Sequence, residues 1–126
     1  MPAAVHRDDF RRADYAVTIV DDHGRVAAAA LFQKMDWTPG DLIAFTVNTE
    51  TVVTAVRATS HPVGTTLSRV LRRRGHLHIP ANIRHRAGIT AGDRLLLTAD
   101  DNGLLRIFPA QLLAHMLHPY LTPQQP

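Results

Sequence analysis

Arginine side chains are the groups in this chain best suited to chemistry with another molecule, and they gather in its second half. Six of them fall between positions 69 and 86: Arg69, Arg72, Arg73, Arg74, Arg84 and Arg86. A guanidinium group stays charged at physiological pH and binds phosphate oxygens in a bidentate manner. The cluster therefore indicates a phosphate-rich partner such as double-stranded DNA, although a solvated basic surface has the same composition.

Two histidines beside this cluster raise the question of a metal site. His76 and His78 alternate along a predicted strand, so both rings are expected on one face of it. The chain has no cysteine, and no nearby Asp or Glu completes a tetrahedral set, so we predict no metal and no other cofactor. Neither a P-loop, a dinucleotide-binding glycine motif nor a nucleophile elbow is present, so we do not expect an enzyme.

Charge divides the chain into two unlike halves. The formal net charge is +3 over 126 residues. Residues 1–60 hold six Lys and Arg against eight Asp and Glu, whereas residues 61–126 hold eight against three. Such asymmetry favours one face that meets a polyanion. No apolar run approaches the roughly 20 residues of a membrane span, and the first ten residues lack a signal-peptide core. We therefore expect a cytoplasmic protein that does not bind membranes.

The predicted elements occur twice in the same order, which indicates two tandem βαββ-type units. We assign the first unit to residues 15–58 and the second to residues 66–109, with a linker at 59–65. A flexible lead-in at 1–14, a C-terminal helix at 110–120 and a disordered tail at 121–126 complete the chain. Each unit alone has few strands, so we expect the two to share one core in a fold that is mainly β with short helices.

Sequence alignment of the two units rests on their turns. Gly24-Arg25-Val26 matches Gly75-His76-Leu77, and Thr38-Pro39-Gly40-Asp41 matches Thr90-Ala91-Gly92-Asp93 after a one-residue gap inside the helix. Pro80 is predicted at the first position of the second helix and Gly88 at its end. The hairpin turn at 100–103 is the clearest local signal in the chain.

The second unit resembles the swapped-hairpin DNA-binding domain shared by AbrB, MazE and SpoVT proteins, over about residues 66–109. The residues that carry the resemblance are Gly75-His76-Leu77-His78-Ile79-Pro80, Ile83-Arg84, Gly88-Ile89-Thr90-Ala91-Gly92-Asp93 and Asp101-Asn102-Gly103. The resemblance implies a β-barrel of two interleaved hairpins, with basic residues of the first loop and short helix on DNA. The DNA contacts it implies are Arg69, His76, Arg84 and His85. The arginine cluster adds Arg72, Arg73, Arg74 and Arg86 as further candidate DNA contacts.

The first unit departs further from this pattern. By the alignment it has Thr18 in place of Arg69, and Gln33 and Lys34 in place of Arg84 and His85. We interpret it as a degenerate copy that completes the barrel. A chain with one strong DNA-binding edge is expected to form a homodimer on two half-sites, with the C-terminal helix as a candidate interface.

These observations predict a sequence-specific DNA-binding transcription regulator of the AbrB type, associated with the nucleoid. One alternative is the antitoxin of a toxin–antitoxin pair, which would bind both DNA and a toxin protein. Another is a protein-interaction module on the same barrel that does not bind DNA.

Overall fold

β-Strands account for most of the regular structure in the described part of this chain. The computed structural model describes residues 14–70 and 75–121. The elements there are β1 (Asp14–Ile19), β2 (Arg25–Ala27), α1 (Ala29–Lys34), β3 (Leu42–Val47), β4 (Val53–Arg57), β5 (Thr66–Arg69), β6 (His76–His78), α2 (Ala81–Ala87), β7 (Arg94–Ala99), β8 (Leu104–Phe108) and α3 (Ala110–Leu121). The prediction of a mainly β fold with short helices is confirmed. No helix there has the length and apolarity that crossing a membrane requires.

The two units exchange strands within the chain. A six-stranded antiparallel sheet has the order β1-β7-β8-β4-β3-β5, and β2 and β6 form a separate two-stranded ribbon. The first strand of each unit thus pairs with the third strand of the other, as β1 does with β7 and β5 with β3. In the described part of the chain β1 and β5 are the sheet edges and do not pair with each other, so backbone pairing does not close a barrel.

An approximate two-fold axis relates the units. It passes between Val26 and Leu77 in the ribbon and between Thr54 and Arg106 in the sheet, since each is paired with its own counterpart. The matched turns are equivalent in detail. The Asp41 carboxylate accepts the Thr38 N–H, and the Asp93 carboxylate accepts the Thr90 N–H, both at 2.9 Å. The recurring Thr-x-Gly-Asp pattern therefore forms the same self-capped turn in each unit.

The core lies on the inner face of the sheet, under the ribbon and the first two helices. Every second strand residue faces inward, and Phe45, Leu97 and Ile107 are among the fully buried side chains. The ribbon adds Val26 and Leu77 to the same cluster. Helix α1 adds Leu31 and Phe32 to this core, and helix α2 adds Ile83 and Ala87. The helices and ribbon are thereby fixed on the sheet with their polar sides outward.

The strand register corrects one of the sequence alignments. Arg69 lies opposite Leu42, and Ile19 lies opposite Arg94, the counterpart of Leu42. Ile19 is therefore the counterpart of Arg69, and the expectation of Thr18 was wrong by one residue. The cause is loop length: three residues separate Val20 from Gly24, whereas four separate Val70 from Gly75.

The helix alignment is corrected in the same way. The Trp37 N–H donates to the Phe32 carbonyl, and the Ile89 N–H donates to the Arg84 carbonyl, which makes Phe32 the counterpart of Arg84. Gln33 and Lys34 then match His85 and Arg86 rather than Arg84 and His85. Phe32 is buried and stacks on Trp37 with ring centroids 5.7 Å apart. The first helix thus has an apolar side chain where the second has an arginine.

Three predicted element boundaries also shift. Pro80 is the N-cap of α2, with an extended ψ of 146°, rather than its first helical residue. Asp14, assigned to the lead-in, belongs to β1, and Leu121, assigned to the tail, belongs to α3. Helix α3 contains Pro119 close to its last residue, Leu121. Residues 1–13 and 122–126 lie outside the described residues.

Candidate nucleic-acid interface

Helix α2 exposes basic side chains on one side because its other side packs against the core. Ile83 and Ala87 are buried, whereas His85 and Arg86 are exposed and Arg84 is half-buried. Gly88 ends the helix in the left-handed conformation, with φ of 70°. Cations in the last turn of a helix are stabilised by the partial negative charge of its free carbonyl groups. The local sequence therefore favours a short helix with a basic exposed end.

Arg84 lies across a loop of the first unit. Its Nε donates to the Ile79 carbonyl at 2.9 Å, and a Cβ built on Gly24 would overlap its guanidinium group. The positive φ of 77° favours glycine at position 24, and the missing side chain leaves room for Arg84. The contact joins α2 to Gly24 of the first unit, and it gives Arg84 a packing role besides its charge.

The ribbon places further basic groups beside Arg84. Arg25 is paired with His78 and Ala27 with His76, so all four side chains lie on the side of the ribbon opposite buried Val26 and Leu77. The Arg25 Nε forms a 2.7 Å ion pair with Asp21. The backbone N–H of Arg25, followed by its side chain and by the His23 N–H, lowers the pKa of Asp21 to about 2. Asp21 therefore stays ionised and offsets the Arg25 charge.

Histidine 78 is held towards its neutral form. Burial lowers the pKa of the His78 imidazole, and the positive charges of Arg84 and Arg25 lower it further, against an opposing effect of Asp21. Near pH 7 this ring therefore adds no positive charge to the surface. Across the described ranges, His, Asp and Glu side chains form no group of three or more that could hold a metal ion.

The lowered pKa of His78 predicts acid-sensitive stability. Because the folded protein binds this proton less readily than the unfolded chain, the free energy of unfolding falls once the pH drops below about 6.5, the ordinary histidine value. Urea unfolding at pH values between about 7.5 and 5.5 measures the effect. His78→Gln is expected to reduce the pH dependence in this window. An unchanged dependence in that variant would show that other groups cause it.

The two units differ more clearly in how many of their described cations are ion-paired than in their net charge. Within the described ranges each cation of the first unit has a carboxylate partner: Arg25 with Asp21, Lys34 with Asp14 and Asp101, and Arg57 with Asp41. Among the described residues of the second unit, Arg106 alone has an ion pair, with Asp100. The described arginines without an ion pair are Arg69, Arg84, Arg86 and Arg94.

Two of the predicted site residues, Arg69 and Arg84, contact loops of the first unit. Arg69 is exposed on β5, and its Nη1 donates to the Gly40 carbonyl of the first unit at 2.8 Å. Gly75 lies against Ala29 of α1, and its carbonyl accepts the Ala28 N–H at 2.9 Å. Arg72, Arg73 and Arg74 lie outside the described residues. Arg84 packs on Gly24, so Arg69 and Arg84 contact different loops of the first unit.

Sequence reasoning missed two features of this surface. Arg94 is exposed at the start of β7, and the only sequence signal for it is a charged residue that opens an apolar strand. His78 was considered only as a metal ligand, whereas the pairing of the ribbon places it beside Arg25 and Arg84. Both features depend on contacts between residues far apart in the chain.

Comparison with known proteins gives little independent information. No protein-family model and no curated protein matches the chain. Among solved structures, the solution structure of PHS018 from Pyrococcus horikoshii aligns with 19% sequence identity and a TM-score of 0.41. The alignment covers 75% of this chain and 86% of that one. A similarity of this level does not assign the fold or the function.

Proposed function

We propose that the protein is a sequence-specific DNA-binding transcription regulator of the AbrB type. The observation that carries the proposal is that, among the residues the structure describes, the arginines without an ion pair all lie in the second unit, at Arg69, Arg84, Arg86 and Arg94. A guanidinium group that is not neutralised within the protein keeps its capacity for charge-assisted bonds to external phosphates. The first unit, whose described cations are paired, supplies the other half of the core instead.

The arrangement of the elements also supports this proposal. Exchange of the first strands between the units fits the interleaved hairpins that the AbrB resemblance implies. Helix α2 and the β2–β6 ribbon are both of a kind that the DNA major groove accommodates. In this proposal the exposed arginines contact phosphates and supply affinity, while side chains of α2, His85 among them, contact base edges and supply specificity.

Replacing Arg86 with alanine is expected to weaken DNA binding and to lower its salt dependence. Each lost phosphate contact reduces the slope of log K against log salt by about 0.9. Fluorescence anisotropy measures this with a labelled duplex from upstream of the protein's own gene and a scrambled duplex, between about 50 and about 300 mM salt. Arg57→Ala is the matched control, since Arg57 is also exposed but is paired with Asp41.

Preference for the upstream duplex, together with a smaller slope in Arg86→Ala and an unchanged slope in Arg57→Ala, would support the proposal. Absence of binding to either duplex at low salt would contradict it and favour a protein-interaction module. Equal effects of the two substitutions would show that ion pairing does not select the DNA-binding arginines.

A further inference from the structure

The loop between β1 and β2 brings an acidic side chain to the basic surface around α2. The chain reads Asp21-Asp22-His23 in this loop, and the Arg84 guanidinium group lies against Gly24, the next residue. Burial lowers the pKa of the His78 imidazole, and the charges of Arg84, Asp21 and Arg25 act on it as well. Asp21 therefore lies beside an arginine that the proposed function places on DNA.

Both carboxylate oxygens of Asp21 accept hydrogen bonds from Arg25. Oδ1 accepts the backbone N–H groups of His23 at 2.9 Å and of Arg25 at 2.8 Å, which closes the turn. Oδ2 accepts a 2.7 Å bond from the Arg25 Nε. The side chains of Arg25 and Asp21 are 37% and 38% exposed, so the ion pair is accessible to a large partner.

An ion pair without net charge contributes little to DNA binding. Affinity for the phosphate backbone grows with the number of phosphates that a protein neutralises, because each neutralised phosphate releases counterions. Asp21 cancels the charge of Arg25, and its carboxylate repels any phosphate that approaches the pair. Arg25 is thus a cation beside the proposed interface that is withheld from phosphates.

The corresponding loop of the second unit has the opposite charge. Leu71-Arg72-Arg73-Arg74 takes the place of Asp21-Asp22-His23 in the sequence, with three arginines and no carboxylate. The first unit keeps a cation on the ribbon, Arg25, and adds the carboxylate that neutralises it. The contrast between the loops favours DNA binding by one unit only.

We propose that Asp21 is a specificity-determining residue, which withholds Arg25 from DNA phosphates and confines the DNA-binding surface to the second unit. The inference rests on the proposed function and names a residue that limits binding rather than one that adds to it. Base contacts fix the register of the protein on its specific duplex, whereas a scrambled duplex is free to shift until any exposed cation meets a phosphate. Neutralising Asp21 is therefore expected to strengthen non-specific binding more than specific binding.

Asp21→Asn tests the proposal in the anisotropy assay with the upstream and scrambled duplexes. Asparagine keeps an Oδ1 that accepts the same two backbone N–H groups, but it has no charge. The affinity for the scrambled duplex is expected to rise roughly five- to tenfold at about 100 mM salt, and the slope of log K against log salt to steepen by about 0.9. The upstream duplex is expected to gain less, so that the ratio of the two affinities falls.

Asp100→Asn is the matched control, because Asp100 is bonded in the same way as Asp21. Its Oδ1 accepts the Asn102 and Leu104 N–H groups, and its Oδ2 accepts a 3.2 Å bond from Arg106 Nη1. Arg106 lies between two inward-facing residues of β8, so it points to the outer face of the sheet, away from the ribbon. Both substitutions raise the net charge by the same amount, and only Asp21→Asn is expected to change DNA binding.

Combining Asp21→Asn with Arg25→Ala shows whether the gain depends on Arg25. The steeper slope and the higher affinity for the scrambled duplex are expected to be lost in the double variant. A gain that persists there would overturn the proposal, since loss of the carboxylate would then be enough to cause it.

Two further results would overturn the proposal while the proposed function stands: wild-type binding that Asp21→Asn changes no more than Asp100→Asn does, or equal gains on both duplexes. Wild-type protein that binds neither duplex would contradict the proposed function, and this inference with it. Circular dichroism melts show whether each variant is folded. Should Asp21→Asn fail to fold, Asp21→Ser replaces it, because a serine hydroxyl also accepts hydrogen bonds in such turns.

Discussion

Replacement of Gly75 by alanine is expected to destabilise the protein by about 3 kcal/mol. Gly75 has a φ of 77°, a conformation that costs an alanine roughly 1–2 kcal/mol. A Cβ at this position would also lie 2.6 Å from the Ala29 Cβ and 2.9 Å from the Ala29 Cα. Since Ala29 is helix backbone that cannot turn aside, the overlap adds roughly 1–3 kcal/mol. Urea unfolding followed by circular dichroism measures the loss.

Gly92→Ala provides the matched control for this prediction. Gly92 has a φ of 88°, but no atom lies within 4 Å of the position of its missing Cβ. This variant therefore carries the conformational cost alone, roughly 1–2 kcal/mol. Equal losses in the two variants would contradict the close packing of Gly75 against α1. A larger loss in Gly75→Ala would show that this contact between the units contributes to stability.

Local sequence signals were enough to predict most of the secondary structure. The strands at 42–47 and 104–108 are examples, because each is a β-rich run beside a turn. In both hairpins the turn is stabilised locally: Asn48 Oδ1 accepts the Glu50 and Val52 N–H groups, and Asp100 Oδ1 accepts those of Asn102 and Leu104. Such signals involve residues at most four positions apart.

Pairing between the units could not be predicted from residue spacing alone. The counterpart of Arg69 is fixed by backbone hydrogen bonds that join distant segments, such as Val20 N–H to the Asp93 carbonyl and Val70 N–H to the Asp41 carbonyl. A one-residue difference in loop length shifts an alignment that was based on Gly24 and Gly75. In a β-sheet a shift of one residue moves a side chain to the opposite face.

The candidate site was predictable in its composition but not in its pairing. The second half of the sequence is visibly basic, and exposed Arg86 on a short helix follows from the burial of Ile83 and Ala87. Neutralisation of Lys34 by Asp14 and Asp101, however, joins residues 20 and 67 positions apart. Which cations remain unpaired is therefore a property of the fold.

Replacement of Arg84 by alanine is expected to lower both the stability of the protein and its affinity for DNA. Arg86→Ala, by contrast, is expected to lower the DNA affinity. The substitution removes the hydrogen bond that the charged Nε donates to the Ile79 carbonyl. It also removes the packing of the guanidinium group against Gly24. We expect about 2 kcal/mol of lost stability and about a tenfold loss of affinity for the specific duplex. Urea unfolding and fluorescence anisotropy measure the two effects.

Arg84→Lys separates these two roles of Arg84. Lysine keeps the positive charge but has no planar guanidinium to lie across Gly24 and no Nε–H placed to reach the Ile79 carbonyl. It is therefore expected to lose stability much as Arg84→Ala does, while it keeps more of the phosphate-dependent affinity. If Arg84→Lys is as stable as wild type, the packing role is wrong. If Arg84→Ala loses stability and keeps its DNA affinity, Arg84 holds the two units together without contacting DNA, and Arg86 becomes the principal arginine of α2 at the interface.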